Sequence, residues 1–177
     1  LYSVFVSMAI LQLLFISGIH AASHQMHAVF GNGSEGRALL TWKASLDNHS
    51  QSQLSSWSSS ASPCSSWIGI RCNKAGRISA INITSSGIKG TLDHLNFSSL
   101  PHLTSIDLID NALFGTIPPN IGNLSRLTFL RLESNHLSGS ILTQISQLTH
   151  LRFLYLYNNS FHVMECEIKN RRRVPNY

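Results

Sequence analysis

LTSIDLIDNALFGTIPPNIGNLSR (residues 103–126) is followed at once by LTFLRLESNHLSGSILTQISQLTH (residues 127–150). The two segments are equal in length and superpose without a gap. Leu103 falls on Leu127, Ile106 on Leu130, Leu108 on Leu132, Asn111 on Asn135, Leu113 on Leu137 and Gly115 on Gly139. Ile117, Ile121 and Leu124 fall on Ile141, Ile145 and Leu148. Nine coincidences at one offset define a repeated structural unit. Such a unit cannot bury its apolar face alone, so neighbours must stack into one continuous core.

The array continues in both directions. Upstream, Ile78, Ile81 and Ile83 take the leucine positions, Ser86 the Asn position, and Ile88, Gly90 and Leu92 follow; this first unit is one position longer than the next two. Downstream, Leu151 opens a further unit at the same offset from Leu127 and is followed by Leu154, Leu156, Asn159 and Phe161. His162 then stands where glycine is expected, and residues 163–177 carry no repeat pattern. A period of about 24 residues reading L-x-x-L-x-L-x-x-N-x-L is the leucine-rich-repeat signature. It predicts an α/β solenoid in which each L-x-L is a short strand of a parallel sheet with its leucines inward. Each buried Leu or Ile contributes about 1.5–3 kcal/mol. Asn111, Asn135 and Asn159 are expected to turn their amides onto backbone groups where the strand ends. Gly90, Gly115 and Gly139 suit a positive φ or close packing.

A solenoid's first coil must be covered, and the sequence before residue 78 has the means. Leu39, Trp42 and Leu46 recur at helical spacing and predict one apolar helix face. Asn32 and Glu35 have capping-box spacing at its start. Residues 45–66 are Ser-rich and read as a loop, but Leu54, Trp57 and Trp67 demand burial. GNGSEG (residues 31–36) satisfies G-x-G-x-x-G, yet no βαβ unit surrounds it, so a dinucleotide site is rejected.

Leu39-Leu-Thr-Trp-Lys43, Leu54-x-x-Trp57 and Pro63-Cys-Ser-Ser-Trp-Ile-Gly-Ile-Arg-Cys72 together resemble the N-terminal cap of plant-type leucine-rich-repeat proteins. Gly115-Thr-Ile-Pro118 matches the plant subtype, whereas Leu142 departs from it at the proline position. That family includes receptor-like kinases, receptor-like proteins and polygalacturonase inhibitors. The resemblance implies a right-handed superhelix with a helical, disulfide-bonded cap and a concave sheet face that binds peptides, proteins or small hormones. It also implies membership of the ectodomain of a membrane receptor.

Composition and targeting agree. The net charge is +5, but charged residues are only 12% of the chain, too sparse for a nucleic-acid-binding face. Lys169, Arg171, Arg172 and Arg173 crowd the last nine positions and read as a solvated tail. Residues 1–22 resemble a secretory signal peptide whose start is missing; a retained membrane anchor is the alternative. Sequons at Asn32, Asn48, Asn82, Asn96, Asn123 and Asn158 fit a glycosylated, exported protein. In an oxidising compartment Cys64 and Cys72 are expected to pair, leaving Cys166 free or intermolecular. The expected organisation is signal peptide 1–22, linker 23–34, cap 35–76, repeats 78–161 and a non-repeat tail 162–177.

The non-leucine strand positions should face outward. Asn82, Asp107, Arg131 and Tyr155 lie between the paired leucines; Thr84, Ile109, Glu133 and Tyr157 follow; Ala80, Ser105, Phe129 and Phe153 precede. Asp107, Arg131 and Glu133 can form a charge network, or neutralise one another on a solvated face. Phe129, Phe153, Tyr155 and Tyr157 read as an exposed patch of the kind that marks interaction sites, unless a further coil or the tail covers them. The candidate ligand face is therefore Asp107, Ile109, Phe129, Arg131, Glu133, Phe153, Tyr155 and Tyr157. No catalytic motif, cofactor site or metal-ligand spacing occurs in the sequence, and any kinase would lie on a part of the product not present in it.

The expected function is extracellular recognition of a secreted peptide, a protein ligand or a co-receptor ectodomain. The expected location is secreted or at the outer face of the plasma membrane. Contact with the membrane would come only through a missing C-terminal span or an uncleaved signal. The alternatives are a secreted inhibitor of an extracellular enzyme and a non-functional truncated product.

Overall fold

The computed structural model describes residues 33–140 and 143–162. The expected signal peptide, the sequon at Asn32, most of the linker, Ile141, Leu142, Cys166 and nearly all of the tail lie outside the described residues.

Helix α1 (Ser34–Ser45) opens the cap. Glu35 in its first turn and Lys43 in its last both suit the helix dipole. Leu39 and Trp42 are buried on the predicted face. Asn32, one half of the expected capping box, lies outside the described residues, and the N-cap of the described helix is Gly33. Glu35 reaches across the domain, where its carboxylate accepts from the Ile78 amide at 3.0 Å and from Arg77 Nε at 3.1 Å. The Glu35 side chain thus ties the cap to the first repeat.

The Ser-rich stretch is more ordered than its composition predicts. It contains α2 (Asn48–Gln53) and α3 (Pro63–Ser66). Asp47 caps α2 by accepting from the Ser50 amide at 2.8 Å. Buried Ser50 accepts from the Lys89 amide at 2.7 Å, anchoring the helix to the first coil. The three tryptophans form the cap's core. Trp57 stacks on Trp67 at 5.3 Å and tilts against Trp42 at 6.2 Å. Trp42 donates to the Thr91 carbonyl and Trp57 to that of Ile68, each at 2.9 Å. A disulfide joins Cys64 to Cys72.

The main sheet runs β1 (Ile70–Cys72), β2 (Ile78–Asn82), β4 (Ser105–Asp107), β6 (Phe129–Arg131) and β8 (Phe153–Tyr155) in that order. The last four are parallel, in the register that the repeat period dictates, and β1 is antiparallel to β2. The cap therefore lends the sheet a fifth strand that the repeat pattern does not contain. A second parallel sheet, also unforeseen, forms where each chain segment leaves its strand: β3 (Lys89–Gly90), β5 (Ala112–Gly115), β7 (His136–Ser140) and β9 (Ser160–His162). Short helical turns complete the coils at Phe97–Ser99, Pro119–Asn123 and α4 (Thr143–Ser146).

The asparagine column is a hydrogen-bonded ladder. Asn135 donates to the carbonyls of Leu108 (2.9 Å), Leu132 (3.1 Å) and Glu133 (3.2 Å), and accepts from the Leu113 amide at 3.0 Å. Asn111 and Asn159 repeat this pattern one coil earlier and one coil later. Each side chain closes the turn of its own strand and satisfies backbone of the preceding coil. Thr104 and Thr128 add a parallel ladder, each hydroxyl donating to the carbonyl one coil back. At Gly139, with φ +87°, a Cβ would lie 2.9 Å from the Thr116 methyl, so conformation and space both require glycine.

Candidate ligand-binding face

The strand alternation that turns Ile106, Leu108, Leu130 and Leu132 into the core puts their neighbours on the opposite side. Register then fixes which neighbours meet. Ser105, Phe129 and Phe153 form one row, and Asn82, Asp107, Arg131 and Tyr155 the next.

Arg131 is the centre of this surface. Its Nε donates to Glu133 Oε1 at 2.7 Å, and its terminal nitrogen lies 3.6 Å from Asp107 Oδ2. Its guanidinium carbon lies 5.7 Å from the Tyr155 ring centroid. Tyr157 donates its hydroxyl to the same Glu133 oxygen at 3.3 Å. The bond to Glu133, followed by the charges of Glu133 and Asp107, raises the Arg131 pKa above its ordinary value. Two carboxylates around one guanidinium leave the cluster with a formal charge of −1. The aromatic rings pack around it: Phe129 lies 6.1 Å from Phe153 and 5.9 Å from Tyr155, both tilted.

The expected charge network is therefore present, but two of its members are not where an outward reading puts them. Glu133 is fully buried (0% exposed) and Asp107 nearly so (9%). Arg131 and Tyr157 bond to Glu133 from the same strand segment and from the next coil. As placed, Glu133 orients Arg131 from beneath and presents nothing to a ligand. The aromatics do face out: Phe153 is 52% exposed, Tyr155 37% and Tyr157 64%. Ile109 and Phe129 are half-buried. Leu154 occupies an inward leucine position yet is 41% exposed, because among the described residues no coil stacks on β8. It widens the apolar surface in a way that its repeat position conceals. Of the sequons in the described residues, Asn48, Asn82, Asn96, Asn123 and Asn158 are all exposed. Only Asn82 among them lies in a strand of the main sheet.

No described helix is long and apolar enough to cross a membrane. Among the described residues there is no group of three or more His, Cys, Asp or Glu side chains placed to hold a metal ion.

Comparison with known proteins fits this geometry. The family described as "Leucine rich repeat N-terminal domain" matches residues 32–73, and that described as "Leucine Rich Repeat" matches residues 102–124 and 126–148. A probable leucine-rich repeat receptor-like protein kinase of Arabidopsis thaliana is 43% identical over 116 residues, 63% of this chain. MDIS1-interacting receptor like kinase 2 of Arabidopsis thaliana is 44% identical over 110 residues, 60% of this chain. The chain spans only 10% of the length of each of these relatives. Among solved structures, the Arabidopsis HAESA ectodomain in complex with an N-terminal extended IDA peptide hormone aligns with a TM-score of 0.65 and 27% identity, over 75% of this chain and 22% of that one. HAESA has also been solved with the hormone IDA and the co-receptor SERK1, at 28% identity, a TM-score of 0.65, and 73% and 22% coverage. PEPR1–AtPEP1 gives a TM-score of 0.65 at 33% identity, over 72% of this chain and 18% of that one. The chain carries a leucine-rich-repeat N-terminal domain followed by leucine-rich repeats, and it resembles the N-terminal portion of plant leucine-rich-repeat receptor-like kinase ectodomains.

Proposed function

We propose that this chain is an extracellular recognition module of a receptor-like kinase or receptor-like protein, and that its concave sheet takes a secreted peptide or protein ligand or a co-receptor ectodomain. The observation that carries the reading is the outward aromatic surface of β6 and β8, organised around an arginine that is held from below. Exposed aromatic side chains clustered beside a fixed arginine are the composition of energetic centres in protein interfaces. The pairing of Arg131 with Asp107, Glu133 and the Tyr155 ring fixes its geometry before a partner arrives, which lowers the ordering cost of association. The peptide-hormone and co-receptor complexes of the HAESA ectodomain lend the same support from a relative in structure.

Five strands span four spacings, about 19 Å, and this upper limit on the track corresponds to roughly six residues of an extended peptide. A short ligand segment matches this track. The test is a binding screen by biolayer interferometry against synthetic secreted plant peptides and purified co-receptor ectodomains. Any specific binder should lose at least tenfold in affinity, about 1.4 kcal/mol, on Tyr155→Ala or Tyr157→Ala. Binders indifferent to both substitutions would place recognition elsewhere and refute the assignment of this face.

A further inference from the structure

We propose that Asn82 carries an N-linked glycan that covers the N-terminal half of the concave face and leaves the aromatic half open. Asn82 is the last residue of β2 and heads the sequon Asn82-Ile83-Thr84. The side chains of Ile81 and Ile83 are buried in the core, so strand alternation points the Asn82 amide to the other side, where it is exposed. It makes no side-chain hydrogen bond to another described residue. Three other sequon amides are engaged. Asn96 Oδ1 accepts from the Ser98 amide at 3.2 Å, Asn123 Nδ2 donates to Ser98 Oγ at 2.8 Å, and Asn158 Nδ2 donates to Ser134 Oγ at 3.2 Å. Asn48 sits on α2 of the cap.

Position makes Asn82 consequential. Its register partners are Asp107, then Arg131, then Tyr155, one strand apart each. Tyr155 is therefore about 14 Å away along the row, at the strand spacing of ~4.8 Å. Around Asn82 on this face, Ala80, Thr84 and Ser105 are small, Asp107 is the register partner on β4, and Gln53 and the exposed Ile68 line the same surface hollow. The aromatic residues lie at the other end of the row. A hydrated glycan on β2 would exclude protein partners from β2 and β4 and direct them to β6 and β8. The transfer replaces one Nδ2 hydrogen of Asn82 with the anomeric carbon of a lipid-pyrophosphate-linked oligosaccharide, and the proton and lipid pyrophosphate depart. The glycan requires only that the chain be exported; its steering role rests on the concave face being the binding surface.

The test uses the full chain expressed in plant cells and recovered from the secretory pathway, with site occupancy read by mass spectrometry after glycosidase treatment in heavy-oxygen water. The expected result is heavy-oxygen conversion at Asn82, and loss of one glycan in both Asn82→Gln and Thr84→Ala. Unmodified Asn82 in molecules glycosylated at Asn48 or Asn96 overturns the assignment while leaving export intact. Absence of glycan at every sequon overturns both. Coverage is read by hydroxyl-radical footprinting: Ile109 should oxidise several-fold faster in Asn82→Gln than in the wild type, with Tyr157 unchanged. Equal Ile109 rates would refute the shielding. Insensitivity of a binder to Tyr155→Ala, with Asn82 glycosylated, would sink the binding reading alone.

Discussion

Replacing Asn135 by alanine tests the ladder that holds the coils together. The side chain is 5% exposed and makes four hydrogen bonds to backbone. The loss is unequal among its partners. The Leu108 carbonyl keeps Asn111, the Leu132 carbonyl keeps Asn159, and the Glu133 carbonyl keeps the Asp110 amide. The Leu113 amide loses its partner and sits in a site closed to water. An orphaned buried donor costs about 1–3 kcal/mol, and the weakened carbonyls add to it, for a total of roughly 2–4 kcal/mol. For a domain of this size that corresponds to a fall in Tm of roughly 10 °C, read by far-UV circular dichroism. Asn159→Ala, in the half-buried last described coil, should cost visibly less. Asn135→Asp sharpens the test: it keeps an acceptor for Leu113 but sets a carboxylate against three carbonyls. Burial raises that carboxyl's folded pKa, so its deficit relative to wild type should shrink as pH falls. An Asn135→Ala protein melting within about 2 °C of wild type, a threshold of roughly half a kcal/mol, would refute the reasoning and mean that water replaces the amide.

Other outcomes follow from the cap and the turns. Cys72→Ser opens a disulfide that spans a sequence separation of 8 residues, and should lower stability by about 2.5 kcal/mol in the chain-entropy model; identical non-reducing melts of variant and wild type would contradict this. Gly139→Ala should destabilise more than Gly76→Ala. Both glycines have positive φ, but a Cβ at Gly76 meets nothing within 4 Å while one at Gly139 strikes Thr116. Equal denaturation midpoints would mean that the contact is irrelevant. The Asp47 carboxyl is held below its ordinary pKa by the hydrogen bonds from Ser50. Its folded pKa is lower than its unfolded one, so its stabilisation is present above the ordinary carboxylate range and lost as pH falls through the folded value. The Tm gap between wild type and Asp47→Asn should be flat above about pH 5 and close below it.

The parts of this structure legible in the sequence are those that repeat. The parallel main sheet, the inward leucines and the asparagine ladder each recur at one period, so their signals add. The second sheet is not legible because each of its strands buries at most one side chain, Leu113 in β5 and Leu137 in β7, so no alternation registers. The Ser-rich segment misleads for a different reason. Its helix is capped locally by Asp47 but held to the first coil by the Ser50–Lys89 bonds, which span 39 residues and leave no local pattern. Glu35 reads as a helix-capping residue at its spacing, and only the fold reveals that it serves Ile78. At the candidate site, the rows of outward residues follow from the period alone. The burial of Glu133 does not, since it depends on a tyrosine hydroxyl arriving from the following coil.

The seams between coils have a consequence for how this chain can change length. Leu113 and Leu137 both give their amides to the asparagine of the next coil, and Leu108 and Leu132 both receive that asparagine's amide. Every junction therefore presents the same donors and acceptors to whatever follows, as long as the newcomer arrives in register. A duplicated or deleted block of one whole period, such as 103–126, meets identical chemistry on both sides. A single inserted residue between Leu108 and Asn111 would displace the whole set of bonds at once. The grammar of the molecule is written in whole coils: it is tolerant of an added clause and intolerant of an added letter.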